Sequence, residues 1–327
     1  MADRNIKIFV TAKLPDLIEQ RLRDLFDVTL NPSVNLMSRE SLLEAAQTYD
    51  VIAPTLGDRL DAAFFESAGE RLKLIANFGS GVDHIDVAAA QKHGVTVTNT
   101  PSVNADDAAD MAMALIVAVP RRLVEGVKAL EEGEFQRWSP TWMLGRSLRG
   151  KKLGIIGLGR VGQAIARRAR AFDLSIHYHN RTPINPHVAD ELNATYWESL
   201  DQMLARMDIV SVNCPHTPAT FHLLSRRRLE RLPPHAYVVN VSRGEIIDED
   251  ALADLIADGR LAGAGLDVFE NEPRPNEKLV TAPNVVLIPH MASATVESRI
   301  EMGERMIINI KMFADGHKPP DRVILDL

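Results

Sequence analysis

The sequence predicts an α/β protein of two doubly wound parallel-sheet domains, one inserted into the other. Three observations predict it. Short β-branched runs alternate with helical stretches, the pattern of parallel strands covered by helices on both faces. The length, 327 residues, suits two domains better than one. The alternation is interrupted once, by a long helical segment and an aromatic arm, and restarts at Lys152. A last helix, about 294–314, lies beyond the second sheet and is expected to return to the first domain. The predicted division is therefore 1–101 with 292–327 for one domain and 102–291 for the other.

In chain order, 7–11 (KIFVT) reads as a strand and 15–25 as a helix that opens on a tolerated N-terminal proline. Strand 28–30 follows, then a helix over 38–47 with Ser38 as its capping residue, and strand 51–54. Strands at 72–78 and 95–99 flank a helix at 87–93. The segment 105–132 reads as a longer helix, kinked or broken at Pro120, which removes one backbone donor. The arm FQRWSPTWMLG occupies 135–145. Beyond it, six strands are expected, at 152–156, 175–179, 209–213, 237–241, 264–268 and 285–288. Six is the count of a doubly wound dinucleotide-binding domain.

Composition narrows the function. Hydrophobic residues make up 46% and charged residues 25%, and the net charge is −7. An acidic chain does not suit nucleic acid as its main partner, since neutralising phosphates needs a basic face. The densest basic run, Arg226-Arg227-Arg228, reads as a solvated helix face. Cys214 is the one cysteine, so no internal disulfide is possible and a reducing, cytoplasmic setting is expected. The opening MADRNIKIFV has no apolar signal core, and the longest apolar stretch, 111–120, is too short to span a bilayer, so no membrane association is expected.

The stretch GIIGLGRVGQAIARRA holds Gly157, Gly159 and Gly162 in the spacing G-x-G-x-x-G. The motif is weak alone. Here a strand-like run precedes it and a helix-forming run follows. In that setting Gly157 permits the tight turn, Gly159 lets a pyrophosphate approach the backbone, and Gly162 lets helix and strand pack closely. The freed N–H groups and the helix dipole then face the phosphates. At the end of the next strand, where an NAD site usually has an acid on the ribose hydroxyls, the sequence reads Asn180-Arg181-Thr182. An acid there would repel a 2′-phosphate. Arg181 can fork onto one, and Asn180 and Thr182 can hydrogen-bond it. The expectation is a preference for NADP(H), with NAD(H) possible.

Three further polar residues follow strands: Arg243 in NVSRGEIID, Glu272 in LDVFENEP and His290 in IPHMASAT. In an open α/β sheet the ligand crevice lies outside the carboxyl ends of the strands, so all three aim at the place where the glycine loop would hold a cofactor.

Together these residues resemble the D-isomer-specific 2-hydroxyacid dehydrogenases. The resemblance covers nearly the whole chain: NFGSGVDHID (77–86), GLGRVG (157–162), NCPHTPAT (213–220), NVSRGEIIDEDAL (240–252), GAGLDVFENEP (263–273) and PHMASAT (289–295). Within the family, HNR after the second strand and WSPTWMLG look most like the glyoxylate/hydroxypyruvate reductase branch. The resemblance implies a Rossmann-type cofactor domain inserted into a discontinuous flavodoxin-like substrate domain. It implies that hydride passes from nicotinamide to the keto carbon of a small 2-oxo acid, with His290 giving the proton to the carbonyl oxygen. Glu272 would orient His290 and favour its charged form, and Arg243 would hold the substrate carboxylate and polarise the carbonyl. Gly79, Ser80 and Gly81 would bind the same carboxylate, Ser80 and Gly81 through backbone N–H groups. Cofactor contacts are implied for Leu158, Gly159, Arg160, Val161 and Gly162, for Asn180, Arg181 and Thr182, and for Cys214, Pro215 and Thr220 on the adenosine side. They are also implied for Val241, Ser242 and Ser293, and for Asp267 near the nicotinamide amide. No metal is required. His216 and the pair Asp83–His84 read as structural.

The arm with Trp138, Trp142 and Met143 is too apolar to be left exposed comfortably. The resemblance implies that it packs across a homodimer and that Trp142 reaches a partner's substrate pocket. Hinges are expected at 100–102 and 289–294. In one respect the chain departs from the commonest pattern near the site: after His290 many members have a small Gly-Ser pair, whereas here Met291-Ala292-Ser293 follow. Two other readings compete. One is an NAD-linked D-lactate or broad 2-oxo acid reductase. The other is a dinucleotide-sensing scaffold that keeps the fold for binding, which intact Arg243, Glu272 and His290 disfavour.

Overall fold

The computed structural model describes residues 6–33 and 35–324. The chain divides into two compact units, Met1–Asn104 with Ala294–Leu327, and Ala105–Ser293.

The first unit is built on five parallel strands: β1 (Lys7–Val10), β2 (Asp27–Leu30), β3 (Val51–Ala53), β4 (Leu74–Ala76) and β5 (Thr96–Thr98). Their order is β2-β1-β3-β4-β5, the doubly wound order of flavodoxin-like sheets. Alternation sorts the strand residues onto two faces. Ile8, Val10, Leu74 and Ala76 meet Ile18 and Leu22 of helix Asp16–Leu25 and Met302, Met306 and Ile310 of helix Val296–Ala314. Ile52, Ile75 and Val97 meet Leu60, Phe64 and Phe65 on the other face.

Helix Val296–Ala314 thus belongs to this unit. Its first turn is capped by Thr295, whose hydroxyl accepts the Ser298 N–H at 3.0 Å. Its Gly303 lies so close to Ile18 that a Cβ there would come within 2.4 Å of that side chain, so the two helices meet backbone to side chain.

The second unit holds seven parallel strands: β6 (Lys152–Ile156), β7 (Ser175–His179), β8 (Ala194–Tyr196), β9 (Ile209–Val212), β10 (Tyr237–Asn240), β11 (Gly263–Leu266) and β12 (Val285–Leu287). Their order is β12-β11-β10-β9-β6-β7-β8. From β6 the chain winds outward through β7 and β8, then returns to build β9 to β12 on the other side. That reversal opens a crevice at the carboxyl ends of β6 and β9. Both faces are buried, as parallel sheets require: Val238 packs into one core, and Tyr237 and Val239 into the other.

Seven strands replace the six expected. The addition is β8, a half-buried edge strand too short to show a periodic pattern. Helix Ala62–Ser67 also escaped the sequence reading. The segment around Pro120 is a break rather than a kink: one helix spans Ala105–Ala118, the next Leu123–Glu131, and Arg122 between them takes a left-handed conformation at φ 54°. The arginine triplet lies on the short helix Arg226–Leu229, where Arg226 pairs with Asp254 at 2.5 Å, and Arg227 and Arg228 pair with Asp201 at 2.6 and 2.9 Å. Among the described residues no helix is long and apolar enough to cross a membrane.

Candidate active site

The glycine loop joins β6 to helix Arg160–Arg170. Gly157 has φ +92°, and a Cβ there would sit 2.7 Å from the Cys214 nitrogen, so this turn admits only glycine. A Cβ at Gly162 would meet the Gly157 carbonyl oxygen at 2.4 Å, which fixes helix against loop. Gly159, the N-cap of the helix, is different: nothing lies within 4 Å of its added Cβ. The loop is packed tight on two sides and open on the third, as a cradle for a pyrophosphate must be. Arg160 and Val161 open the helix, where backbone N–H groups have no intrahelical partner.

Leu158 is buried, and its N–H donates to Asn180 Oδ1 at 2.7 Å. Asn180 thus ties the glycine loop to the end of β7 and keeps its Nδ2 for other partners. Arg181 and Thr182 follow, both exposed.

Cys214, Pro215 and Thr220 follow β9. Burial pushes the Cys214 thiol up to about 11, so it stays protonated near neutral pH and is no nucleophile. The Thr220 hydroxyl donates to the Pro215 carbonyl at 2.7 Å and accepts the Thr217 N–H at 2.8 Å, closing this loop on itself.

Arg243 is set by the end of β10. Asn240 is buried; its Nδ2 donates to the Arg243 carbonyl at 2.8 Å, and its Oδ1 accepts from the Ser242 N–H at 3.0 Å and hydroxyl at 2.8 Å. Val241 is half-buried between them. The Arg243 Nη1 donates back to the Ser242 carbonyl at 2.8 Å. Gly244 then presses on the neighbouring loop: a Cβ there would lie 1.9 Å from the Phe269 carbonyl carbon. That contact brings Arg243 beside the loop that carries Glu272. Gly244→Ala is expected to destabilise the protein by about 1–3 kcal/mol and to lower turnover with it, read by thermal unfolding and a rate assay on the same sample.

The Glu272 loop is held from behind. Buried Glu249 accepts the Glu270 N–H at 2.7 Å, and Glu272 Oε1 accepts the Phe269 N–H at 3.2 Å. Glu272 Oε2 is 2.8 Å from His290 Nδ1. Burial pushes the Glu272 carboxyl up, but the His290 hydrogen bond and charge, the Phe269 N–H and the Arg243 charge outweigh it and leave the group below its ordinary value. An ionised carboxylate can only accept, so Nδ1 carries the hydrogen and Nε2 is left as the working nitrogen.

His290 itself sits at φ +47°, unusual for a residue with a Cβ. Its N–H donates to the Asp267 carbonyl at 2.8 Å. The Asp267 carboxylate accepts from the Met291 N–H at 2.6 Å and the Ala292 N–H at 2.9 Å. Asp267 is fully buried, and burial raises its carboxyl above the usual range in spite of those two donors. It therefore clamps the His290 loop, including the unusual Met291-Ala292 step, whatever side chains follow. Ser293 is half-buried at the end of the same loop.

In the first unit, the Gly79–Gly81 turn follows β4. Asn77 Nδ2 donates to the carbonyls of Gly79 (3.0 Å) and Gly81 (2.9 Å), and Asn99 Nδ2 donates to that of Ser80 (2.7 Å). In a trans peptide each carbonyl opposes the next N–H. Each pinned carbonyl therefore directs the following N–H, of Ser80, Gly81 and Val82, away from the asparagine that holds it. The Ser80 hydroxyl is engaged with the Thr100 carbonyl at 2.6 Å. His84 bonds Asn77 Oδ1 at 3.1 Å and so braces the turn.

The structure thus gathers Arg243, Glu272 and His290 in one unit with the glycine loop. Sequence reasoning missed Asn240 and Glu249, which hold the Arg243 and Glu272 loops from behind, and Asn77 and Asn99, which hold the Gly79–Gly81 turn. Asn99 and Glu249 act across 19 and 21 residues of chain, whereas Asn77 and Asn240 act on groups two to four residues away, and only the place of the asparagines beside the motifs hinted at them.

A switch-point crevice, a glycine cradle and a guanidinium beside an acid–imidazole pair define a dinucleotide-dependent oxidoreductase. Residues 113–292 match the family model described as D-isomer specific 2-hydroxyacid dehydrogenase, NAD binding domain. The chain belongs to the D-isomer specific 2-hydroxyacid dehydrogenase family and is an NAD(P)-dependent enzyme of that class. It is 41% identical to a glyoxylate reductase of Thermococcus onnurineus over 321 residues, 97% of this chain and 95% of that one. Its fold matches a solved protein of Thermus thermophilus with a TM-score of 0.90 and 38% identity, covering 98% of this chain and 100% of that one. It also matches an NADPH-dependent glyoxylate/hydroxypyruvate reductase of Sinorhizobium meliloti, solved with NADP and malonate, with a TM-score of 0.83 and 34% identity, covering 98% and 97% of the two chains.

Proposed function

We propose that the chain is an NADP-preferring reductase of small 2-oxo acids, glyoxylate and hydroxypyruvate foremost, with His290 as the proton donor. The observation that carries the reading is the 2.8 Å bond between Glu272 and His290 Nδ1 with the Arg243 charge beside it. The names of the relatives support the substrate class.

When bound, the nicotinamide supplies the hydride. The chain's own residues do the rest. Arg243 forks onto the substrate carboxylate and polarises the carbonyl. His290 Nε2 delivers a proton to the carbonyl oxygen, and Glu272 offsets the charge on the ring and fixes its tautomer. The Ser80 and Gly81 N–H groups bind a carboxylate. The glycine loop, with Arg160 and Val161, holds the pyrophosphate; Cys214, Pro215 and Thr220 line the adenosine side.

The coenzyme preference rests on Arg181. It is exposed at the end of β7, Asn180-Arg181-Thr182 offers no carboxylate, and among the described residues no acid pairs with it. Arg181→Ala is expected to raise KM for NADPH about 10- to 100-fold, the worth of a charge-assisted bond, with NADH kinetics little changed. Equal use of both coenzymes by the parent enzyme would end the NADP reading. The whole proposal is tested by loss of NADPH absorbance across a panel of 2-oxo acids. Binding without turnover on any of them would point to a sensor instead.

We also propose a homodimer built on the aromatic arm. Trp138 is 79% exposed and Trp142 39%, and the helix before them leaves Leu123, Val127 and Leu130 in solvent.

A further inference from the structure

The amino-terminal rim of the seven-stranded sheet, away from the catalytic residues, holds a cavity of about 290 Å³ where β6, β9 and β10 begin. That is near the lower end of small-molecule sites, ~300–1,000 Å³, so it suits a single-ring ligand and excludes a dinucleotide. Pro120, Leu148, Ile209 and the ring of Tyr237 give it an apolar wall. The wall is fixed by backbone: the Arg146 N–H donates to the Pro120 carbonyl at 2.7 Å, and the Lys151 N–H to that of Leu148 at 3.0 Å.

Two polar features remain uncommitted. Tyr237 is only 8% exposed and lines the cavity, yet among the described residues its hydroxyl meets no hydrogen-bond partner. The hydroxyl itself is not buried and opens to solvent at the cavity. Arg146, an exposed side chain in the lining, pairs with no carboxylate among the described residues. The one acid in the lining, Asp208, is already engaged: it accepts from Lys151 Nζ at 3.2 Å, the Lys152 N–H at 2.8 Å and His235 at 3.0 Å. The cavity therefore offers one unpaired guanidinium, one unpaired phenol and an apolar wall.

We propose that this cavity is a second small-molecule site, for a monocarboxylate with a compact apolar body. The carboxylate sits on Arg146, the body lies against Leu148, Ile209 and Tyr237, and the Tyr237 hydroxyl donates to the ligand. One free cation matches a monoanion and not a phosphate dianion. The site is independent of the reading of the catalytic residues.

Titrating benzoate into the full-length protein by calorimetry tests this. Benzoate is expected to bind, and acetate, which lacks the apolar body, at least about tenfold more weakly. Arg146→Ala should weaken benzoate binding about tenfold or more and Tyr237→Phe severalfold, with turnover unchanged in the absence of benzoate. Arg243→Ala should leave benzoate binding intact. The proposal is overturned if the parent protein does not bind benzoate. It is equally overturned if binding survives both cavity variants or is lost in Arg243→Ala, which would place benzoate at the catalytic residues.

Discussion

In the His290→Ala variant, turnover with NADPH and glyoxylate is expected to fall about 10²- to 10⁴-fold, while the dissociation constant for NADPH should barely move. The two effects separate because the imidazole makes none of the contacts that shape the glycine loop. Its links are to Glu272 through Nδ1 and to Asp267 through the backbone. Alanine keeps the backbone bond and the Asp267 clamp on Met291 and Ala292, so the loop survives and only the proton source disappears. Single-turnover rates with coenzyme titrated by fluorescence measure both quantities. A variant that turns over at the parent rate would remove His290 from the chemistry, whereas parallel losses of rate and NADPH affinity would mean that the loop had collapsed.

Arg243→Ala is expected to lower kcat/KM by roughly 10³-fold or more, with both constants affected. Losing a charge-assisted fork on the carboxylate raises KM by about 10- to 100-fold. Losing the donor that polarises the carbonyl lowers kcat by about 10²-fold. Arg243→Lys should recover little, because a point charge cannot reproduce the planar fork. The backbone around the position is secured by Asn240 and by Gly244 against Phe269, neither of which the substitution touches. An alanine variant that raises KM alone would leave Arg243 a binding residue and nothing more.

Much of this arrangement was legible in the sequence. Strand–helix alternation located eleven of the twelve strands with each end within two residues and placed Gly157, Arg243 and His290 just beyond strand ends, because a short run of apolar, β-branched residues announces a buried strand. For β4 (Leu74–Ala76) the expected run, 72–78, was wider, since the apolar residues on either side are buried too. β8 was invisible: three residues at a sheet edge carry no period. Pro120 marked the break between helices but not its form, which Arg122 completes by a left-handed turn no propensity scale reads. The partners behind the site were the least legible. Glu249 reads as an ordinary first-turn acid of its helix, and only tertiary packing buries it against the Glu270 backbone. Asp267 reads as a strand-end acid, and only the return of the chain beyond β12 shows what its two oxygens hold.

The turn at Gly79–Gly81 has a consequence for how this protein can change. Its donors are peptide hydrogens, and every amino acid except proline brings the same one. Any point substitution other than proline can crowd the turn but cannot remove its donors. If those hydrogens hold the substrate carboxylate as proposed, ligand shape is free to drift with the surrounding side chains while the demand for negative charge is written into the main chain itself.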